Sequence, residues 1–168
     1  GYIITQFKYD YKKSLNVAEA DEGRRTVNPV VANGMVPTFM AVLYGFNPEI
    51  GLSLFVGALA AALADTAATE IGVLHKNPVM MTTGKRVRPG TRGAISLLGE
   101  VAAIFGTLAI SGVIIILFIL LSPAAMLSKL APVALLSGIV GCNVDSFLGA
   151  SMRTLSKEEI NIFGTLSG

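Results

Sequence analysis

The sequence contains few charged residues and few of the side chains that form disulfides or bind soft metals. Only 14% of its 168 residues are charged, and it has one cysteine and one histidine. The single Cys142 excludes an intramolecular disulfide and is most simply a small packing group. His75 ends an apolar stretch and is interpreted as an interfacial residue. The 52% of hydrophobic residues, the 18 glycines and the mean hydropathy of +0.66 are typical of an integral membrane protein.

Four apolar windows are long enough to span a bilayer, which takes about 20 residues in a helix. They cover residues 28–46, 50–73, 94–121 and 130–150. The ending "INIFGTLSG" resembles the opening turns of a further helix, and the chain starts at Gly1 rather than Met. The sequence therefore predicts an all-α, polytopic transmembrane helical bundle with about four spanning helices plus the start of another. We expect residues 1–168 to be a single transmembrane domain and a fragment of a longer chain, truncated at both ends.

The basic residues accumulate on one side of these windows. Twelve of the 13 Lys and Arg residues lie in segment 1–27, in loop 74–93 or after the fourth window, and only Lys129 lies on the other side. Because Lys and Arg are enriched in short cytoplasmic loops, segment 1–27 and loop 74–93 are predicted to be cytoplasmic. An alternative is that these basic residues have no role in a site and only reflect the positive-inside bias or bind anionic lipid headgroups.

Three windows carry an acidic residue on a face of small residues. At about 100° per residue, Asp65, Glu100 and Asp145 each share a stripe with alanine, glycine or threonine. Small residues let helices approach closely in lipid, so these acids are predicted to face the bundle interior. With Glu70 they lie in the cytoplasmic half, where a few carboxylates and phosphate oxygens would suit Mg²⁺. The alternatives are that buried carboxylates pair with Lys or Arg, and that Glu70 anchors the following loop.

The loop "HKNPVMMTTGKRVRPGTRGAIS" has the composition of a phosphate-binding segment. It joins the glycine-bearing turn "PGTRG" to the start of the third window, and free N–H groups at a helix start favour anions. The loop is not a Walker A motif, because Val79 stands where GxxxxGK requires glycine. We therefore predict residues 74–93 to be a cytoplasmic phosphate-binding loop of another type.

Several stretches together resemble a known family. The motifs are "RRTVNPVVANG", "DTAATEIG", "MTTGKRVRPGTRGAIS" followed by Gly99, "NVDSFLGA" and "EEINIFGTLSG". They are similar to the integral-membrane family that contains plant phytyl-phosphate kinase, long catalogued as a transmembrane domain of unknown function. The resemblance covers nearly all of the chain and is of the prokaryotic type. It implies an integral protein of a prokaryotic plasma membrane with its active site facing the cytoplasm.

The resemblance implies an isoprenyl-phosphate kinase, which transfers a phosphoryl group from CTP or ATP to a prenyl monophosphate such as phytyl or geranylgeranyl phosphate. Catalysis would use Asp65, Lys85 and Asp145, and Mg²⁺ would be held by Asp65, Glu70 and Asp145. The set expected to bind the substrate and nucleotide is Thr69, Glu70, Thr83, Gly90, Thr91, Arg92, Gly93, Ser96 and Asn143. Arg92 stands at a position that varies in the family.

Other functions remain open at this point. Intramembrane acids also mark ion pathways, so a transporter or translocator of a phosphorylated lipid or an ion is an alternative. CTP-dependent nucleotidyl transfer and a scaffold subunit without catalysis are others. The expected partners are the bilayer, a nucleoside triphosphate and a prenyl phosphate, without nucleic acid, and a homo-oligomer is left open.

Overall fold

The computed structural model describes residues 2–18, 27–121 and 125–168, which form a nearly all-helical bundle. Three of its helices, Pro48–Gly72, Leu97–Leu121 and Ala125–Ser151, contain stretches long and apolar enough to span a membrane. The predicted class, a helical membrane bundle, is therefore confirmed. In chain order the elements are α1 (Tyr2–Gln6), α2 (Tyr9–Ser14), α3 (Val27–Leu43), α4 (Pro48–Gly72), β1 (Val79–Met80), β2 (Ala94–Ile95), α5 (Leu97–Leu121), α6 (Ala125–Ser151) and α7 (Lys157–Ser167).

Helix α3 is shorter than the predicted first span. It has 17 residues and ends at Leu43, because the chain turns at 44–46 and α4 begins directly afterwards. The Asn47 side chain caps α4 by accepting a hydrogen bond from the Ile50 N–H at 3.1 Å, and Pro48 occupies the first helical position. At 1.5 Å per residue α3 is about 26 Å long, close to the thickness of the hydrocarbon core.

Helix α5 begins three residues later than predicted, because Ser96 caps it. The Ser96 hydroxyl oxygen accepts from the Gly99 N–H at 3.1 Å and donates to the Gly72 carbonyl at 3.2 Å. This side chain therefore joins the end of α4 to the start of α5. The two short strands before it were not predicted. They pair antiparallel, with Val79 opposite Ile95, and close the α4–α5 loop (residues 73–96) into a compact structure.

The centre of the bundle is built from very small side chains. Helix α4 packs against α3, α5, α6 and α7, and its Ala60 and Ala64 are fully buried. A Cβ atom placed on Gly106 of α5 would lie 3.3 Å from the Cα atom of Ala64. Since small residues let backbones approach closely in lipid, α4 can contact four other helices.

A buried ion pair ties α2 to α4. The Lys12 ammonium lies 2.8 Å from the Glu70 carboxylate, and the two side chains are only 1% and 6% exposed. The same ammonium donates to the carbonyl oxygens of Ile4 and Thr5 at 3.3 and 3.1 Å. These three acceptors match the three donors of a lysine side chain. The sequence grouped Lys12 with the other basic residues, but it is buried because Glu70 requires a counter-charge.

We expect Lys12→Met to lower the free energy of unfolding by about 3–5 kcal/mol, because the substitution leaves a buried carboxylate without its partner. Thermal unfolding of the purified protein in detergent would measure the change. Lys129→Met is the matched control, since Lys129 and Glu49 are 3.9 Å apart and their side chains are 74% and 68% exposed. An exposed pair contributes about 0–1 kcal/mol. Equal effects of the two substitutions would contradict a stabilising role for the buried pair.

Candidate active site

One cleft of about 240 Å³ opens where α4 ends and α5 and α7 begin. Its walls come from α4, α5, α6, α7 and the α4–α5 loop, so five separate parts of the chain meet there. Most of the residues singled out from the sequence line this cleft. They are Asp65, Thr69, Gly90, Thr91, Arg92, Gly93, Ser96 and Asp145.

Three helices each contribute one acidic side chain to the cleft. Asp65 comes from α4, Glu100 from α5 and Asp145 from α6, and all three are partly buried. Asp65 lies seven residues before the end of α4, which places it about 10 Å along the helix from that end. The three acidic residues that the helical periodicity placed on small-residue faces thus line one cavity. In the described part of the chain, no three Asp, Glu, His or Cys side chains gather closely enough to hold a single metal ion.

Two functional candidates on α7 were not predicted. Lys157 and Asn161 both line the cleft, and their spacing of four residues puts them on one face of the helix. With its amide oriented to match its neighbours, Asn161 donates to the Asp145 carboxylate at 3.0 Å and to the Lys157 carbonyl at 3.1 Å. The four-residue spacing of Lys157 and Asn161 in "KEEIN" could have indicated that both lie on one helix face. The sequence alone did not show that α7 folds back against α6.

Helix α7 starts at a reciprocal cap. The Ser156 side chain accepts from the Glu159 N–H at 3.1 Å, while the Glu159 carboxylate accepts from the Ser156 N–H at 2.7 Å. The bond from the Ser156 backbone lowers the pKa of Glu159, because it stabilises the charged form. The cap therefore fixes where α7 begins and hence where Lys157 stands.

The glycine-bearing turn of the α4–α5 loop is held against α6 and α7. Gly93 has a φ of +75°, and a Cβ atom there would overlap the backbone of Ala150. The Arg92 guanidinium donates to the carbonyl oxygens of Leu155 and Ser156, the latter at 2.8 Å. Arg92 was predicted to bind nucleotide, and it lines the cleft, but these bonds give it a second role in joining the loop to the α6–α7 turn.

Two of the hydroxyl groups expected to bind the substrate and nucleotide, those of Thr91 and Ser96, already donate to backbone carbonyls. Thr91 donates to the Arg88 carbonyl at 2.7 Å within its own turn. Ser96 donates to Gly72, as described above. Their hydroxyl hydrogens are thus used locally, and contacts from the cleft to a phosphate would come from the cationic side chains and from the backbone.

Four predicted site residues do not line the cleft. Glu70 binds Lys12, so the predicted metal set of Asp65, Glu70 and Asp145 does not come together. Lys85 and Thr83 are exposed beside the turn at Gly84, which folds back through a hydrogen bond from the Met80 N–H to the Lys85 carbonyl at 2.8 Å. Asn143 donates along its own helix to the Ile139 carbonyl at 2.9 Å.

The cleft combines charges of both signs. Asp65, Glu100 and Asp145 are acidic, and Arg92 and Lys157 are basic. Carboxylate oxygens are the ligands that Mg²⁺ prefers, and Arg and Lys side chains bind phosphate. The cleft can therefore accommodate an anion together with a divalent cation. Arg92 and Lys157 carry two positive charges, which is fewer than the negative charges of the three acids and a polyphosphate together.

Comparisons with known proteins support the resemblance seen in the motifs. A family model described as integral membrane protein DUF92 matches residues 1–164. An uncharacterized membrane protein of Methanocaldococcus jannaschii is 30% identical over all of this chain and 68% of its own length. An uncharacterized membrane protein of Synechocystis is 28% identical over all of this chain and 66% of its own length. The chloroplastic protein VTE6 of Arabidopsis thaliana is 30% identical over 91% of this chain and 46% of its own length.

The chain thus spans about two thirds of the length of the first two relatives and less than half of the third. No solved structure matches it.

Gly93→Ala tests the close contact between the loop and α6. We expect it to destabilise the protein more than Gly84→Ala, because both glycines have positive φ angles but a Cβ atom on Gly84 would meet nothing within 4 Å. The backbone strain common to both is about 1 kcal/mol. Thermal unfolding and the rate of proteolysis in the α4–α5 loop would measure the difference. Indistinguishable variants would show that the loop does not depend on this contact.

Proposed function

The chain belongs to the DUF92 family of integral membrane proteins, and we propose that it is a membrane-embedded kinase that phosphorylates a prenyl monophosphate with a nucleoside triphosphate, CTP or ATP. The motif resemblance is to a family that contains such an enzyme. The observation that carries the proposal is the cleft in which Asp65 and Asp145 meet Lys157 and the turn at 90–93. Phosphoryl transfer requires these parts, since it is mainly positioning and charge neutralisation.

The donor set of the cleft fits Mg²⁺. This ion usually takes one or two protein carboxylates, with phosphate oxygens and water completing its shell. Asp65 and Asp145 would hold it, and Asn161 orients the Asp145 carboxylate through the hydrogen bond at 3.0 Å. When bound, Mg²⁺ would neutralise charge on the transferring phosphoryl oxygens.

The basic side chains and the backbone of the turn would bind the phosphates. Lys157 and Arg92 line the same cleft as the acids of α4 and α5, and the N–H groups of Arg92 and Gly93 belong to the turn at 90–93. Lys157 replaces Lys85 in this role, because Lys85 does not line the cleft. Arg92 would hold the turn in place through its bonds to the α6–α7 connection as well as supply charge.

The proposed reaction needs no strong general base. An oxygen of the prenyl monophosphate attacks the γ-phosphorus of the triphosphate, and the bond from that phosphorus to the β–γ bridging oxygen breaks. The nucleoside diphosphate leaves with the bonding electrons. Because the attacking oxygen is already anionic, the protein's task is to hold the two phosphates in line and screen their charges.

In this proposal the cleft would receive one substrate from the bilayer and one from water. It lies at the end of the helices that can span a membrane, on the side of the basic α4–α5 loop. The positive-inside tendency supports a cytoplasmic orientation of that side. The prenyl chain would lie along the apolar helices while its phosphate enters the cleft.

Replacing Asp65 or Asp145 by Asn is expected to lower turnover by at least about 100-fold, because each change removes an anionic oxygen ligand. The assay would incubate the purified protein in detergent with Mg²⁺, labelled CTP or ATP and a series of prenyl phosphates. A labelled prenyl diphosphate would support the kinase, while a CDP-lipid would indicate nucleotidyl transfer. Activity retained in both variants would refute the metal assignment, and transport without turnover would favour a transporter.

Lys157→Met and Lys85→Met together test which lysine binds the phosphates. Lys157 lines the cleft in the structure, whereas Lys85 was expected from the motif. We expect Lys157→Met to raise the KM for the triphosphate and lower kcat/KM at least about tenfold, since a charged hydrogen bond contributes about 1.5–3 kcal/mol. Lys85→Met should change kcat/KM by less than about twofold, within the range of a surface substitution. The opposite ranking would show that the loop closes over the substrate and brings Lys85 into the site.

A further inference from the structure

A second cavity of about 320 Å³ lies between α2 and the α4–α5 loop. Tyr11 and Leu15 form one side. The other side is the stretch 73–76 that follows α4, together with Pro89 of the loop. The catalytic roles proposed above use none of these residues.

The second cavity adjoins the first. Val73 lines both, so one side chain is part of the wall between them. Pro89 borders the second cavity, and the next residue in the chain, Gly90, borders the first. A molecule with its phosphates at the turn 90–93 could therefore extend past Val73 into the second cavity.

The side of the second cavity that α2 provides is held firmly. Tyr11 and Leu15 flank Lys12, whose buried ammonium binds Glu70 of α4. Val17, just beyond, contacts the turn, because a Cβ atom on Gly90 would come within 2.7 Å of its methyl group. The α2 segment and the turn are thus packed together on either side of this cavity.

The chemistry of this cavity differs from that of the cleft. Among the residues that the structure describes, its lining contains no acidic residue, so it offers no carboxylate to Mg²⁺. It combines an aromatic ring, a proline ring and aliphatic groups with the polar side chains of His75 and Lys76. A flat aromatic ring stacks well on such surfaces while hydrogen-bonding groups at the rim fix its orientation.

We propose that the second cavity binds the nucleoside part of the triphosphate donor, with the base against Tyr11, while the phosphates occupy the first cleft. This rests on the proposed kinase function and extends it by assigning a separate subsite to the nucleoside. The first cleft, at about 240 Å³, is smaller than the roughly 300–1,000 Å³ typical of pockets that enclose a drug-sized ligand. The phosphates and the nucleoside therefore occupy different cavities.

The experiment compares a nucleotide with a probe that has phosphates and no nucleoside. Equilibrium binding of Mg²⁺-CTP, Mg²⁺-ATP and Mg²⁺-tripolyphosphate to the full chain in detergent would be measured for the wild type, Tyr11→Ala and Tyr11→Phe. Tyr44→Ala is the matched control, because Tyr44 is also a half-exposed tyrosine but lies in the turn between α3 and α4. Thermal unfolding would verify that each variant is folded.

Tyr11→Ala is expected to weaken binding of the preferred nucleotide about tenfold, in line with the loss of one base–aromatic stack. Binding of tripolyphosphate should stay within about twofold of wild type, Tyr11→Phe should bind both like wild type, and Tyr44→Ala should change neither. Unchanged nucleotide binding in Tyr11→Ala, or an equal loss for tripolyphosphate, would overturn the subsite while leaving the kinase proposal standing. A wild-type protein that binds no triphosphate would overturn both.

Discussion

The arrangement of the long helices depends on how closely the backbones of α5 and α6 approach that of α4. Its buried face is mostly alanine, with Ala60 and Ala64 fully buried, and glycines of α5 and α6 lie directly opposite. In lipid no hydrophobic effect draws helices together, so the contact relies on close packing of small groups. That packing brings Asp65 of α4 to the same cleft as Asp145 of α6. Larger side chains on α4 would separate the helices and, with them, the acids.

The predicted residues that line the cleft were placed by arguments from local geometry. Helical periodicity placed Asp65, Glu100 and Asp145 toward the interior, and adjacency in the chain placed Gly90 and Gly93 on the loop that leads to the next helix. Both arguments need only the pitch of a helix and the side on which a loop emerges. The small strands were missed because two-residue pairings leave no periodic pattern in a sequence.

The parts that were missed depend on contacts between distant segments. Glu70 was assigned to the metal together with Asp65, and pairing of a buried carboxylate with Lys or Arg was only an alternative. The structure pairs Glu70 with Lys12. The charge pattern put both Lys85 and Lys157 on one side of the membrane, and the motif resemblance selected Lys85 for the site. The fold of the α4–α5 loop leaves the first outside the cleft, and the docking of α7 brings in the second. Charge patterns report the side of a membrane but not the partner of each charge.

The link between Lys12 and Glu70 also constrains the order of events during biosynthesis. The two residues are separated by 58 positions, and α3 with nearly all of α4 must be made between them. At about 5–20 residues per second, the ribosome needs roughly 3–12 s to cover that distance. Helix α2 therefore cannot form this ion pair until the α3–α4 hairpin has been made and has returned the Glu70 carboxylate to the same surface.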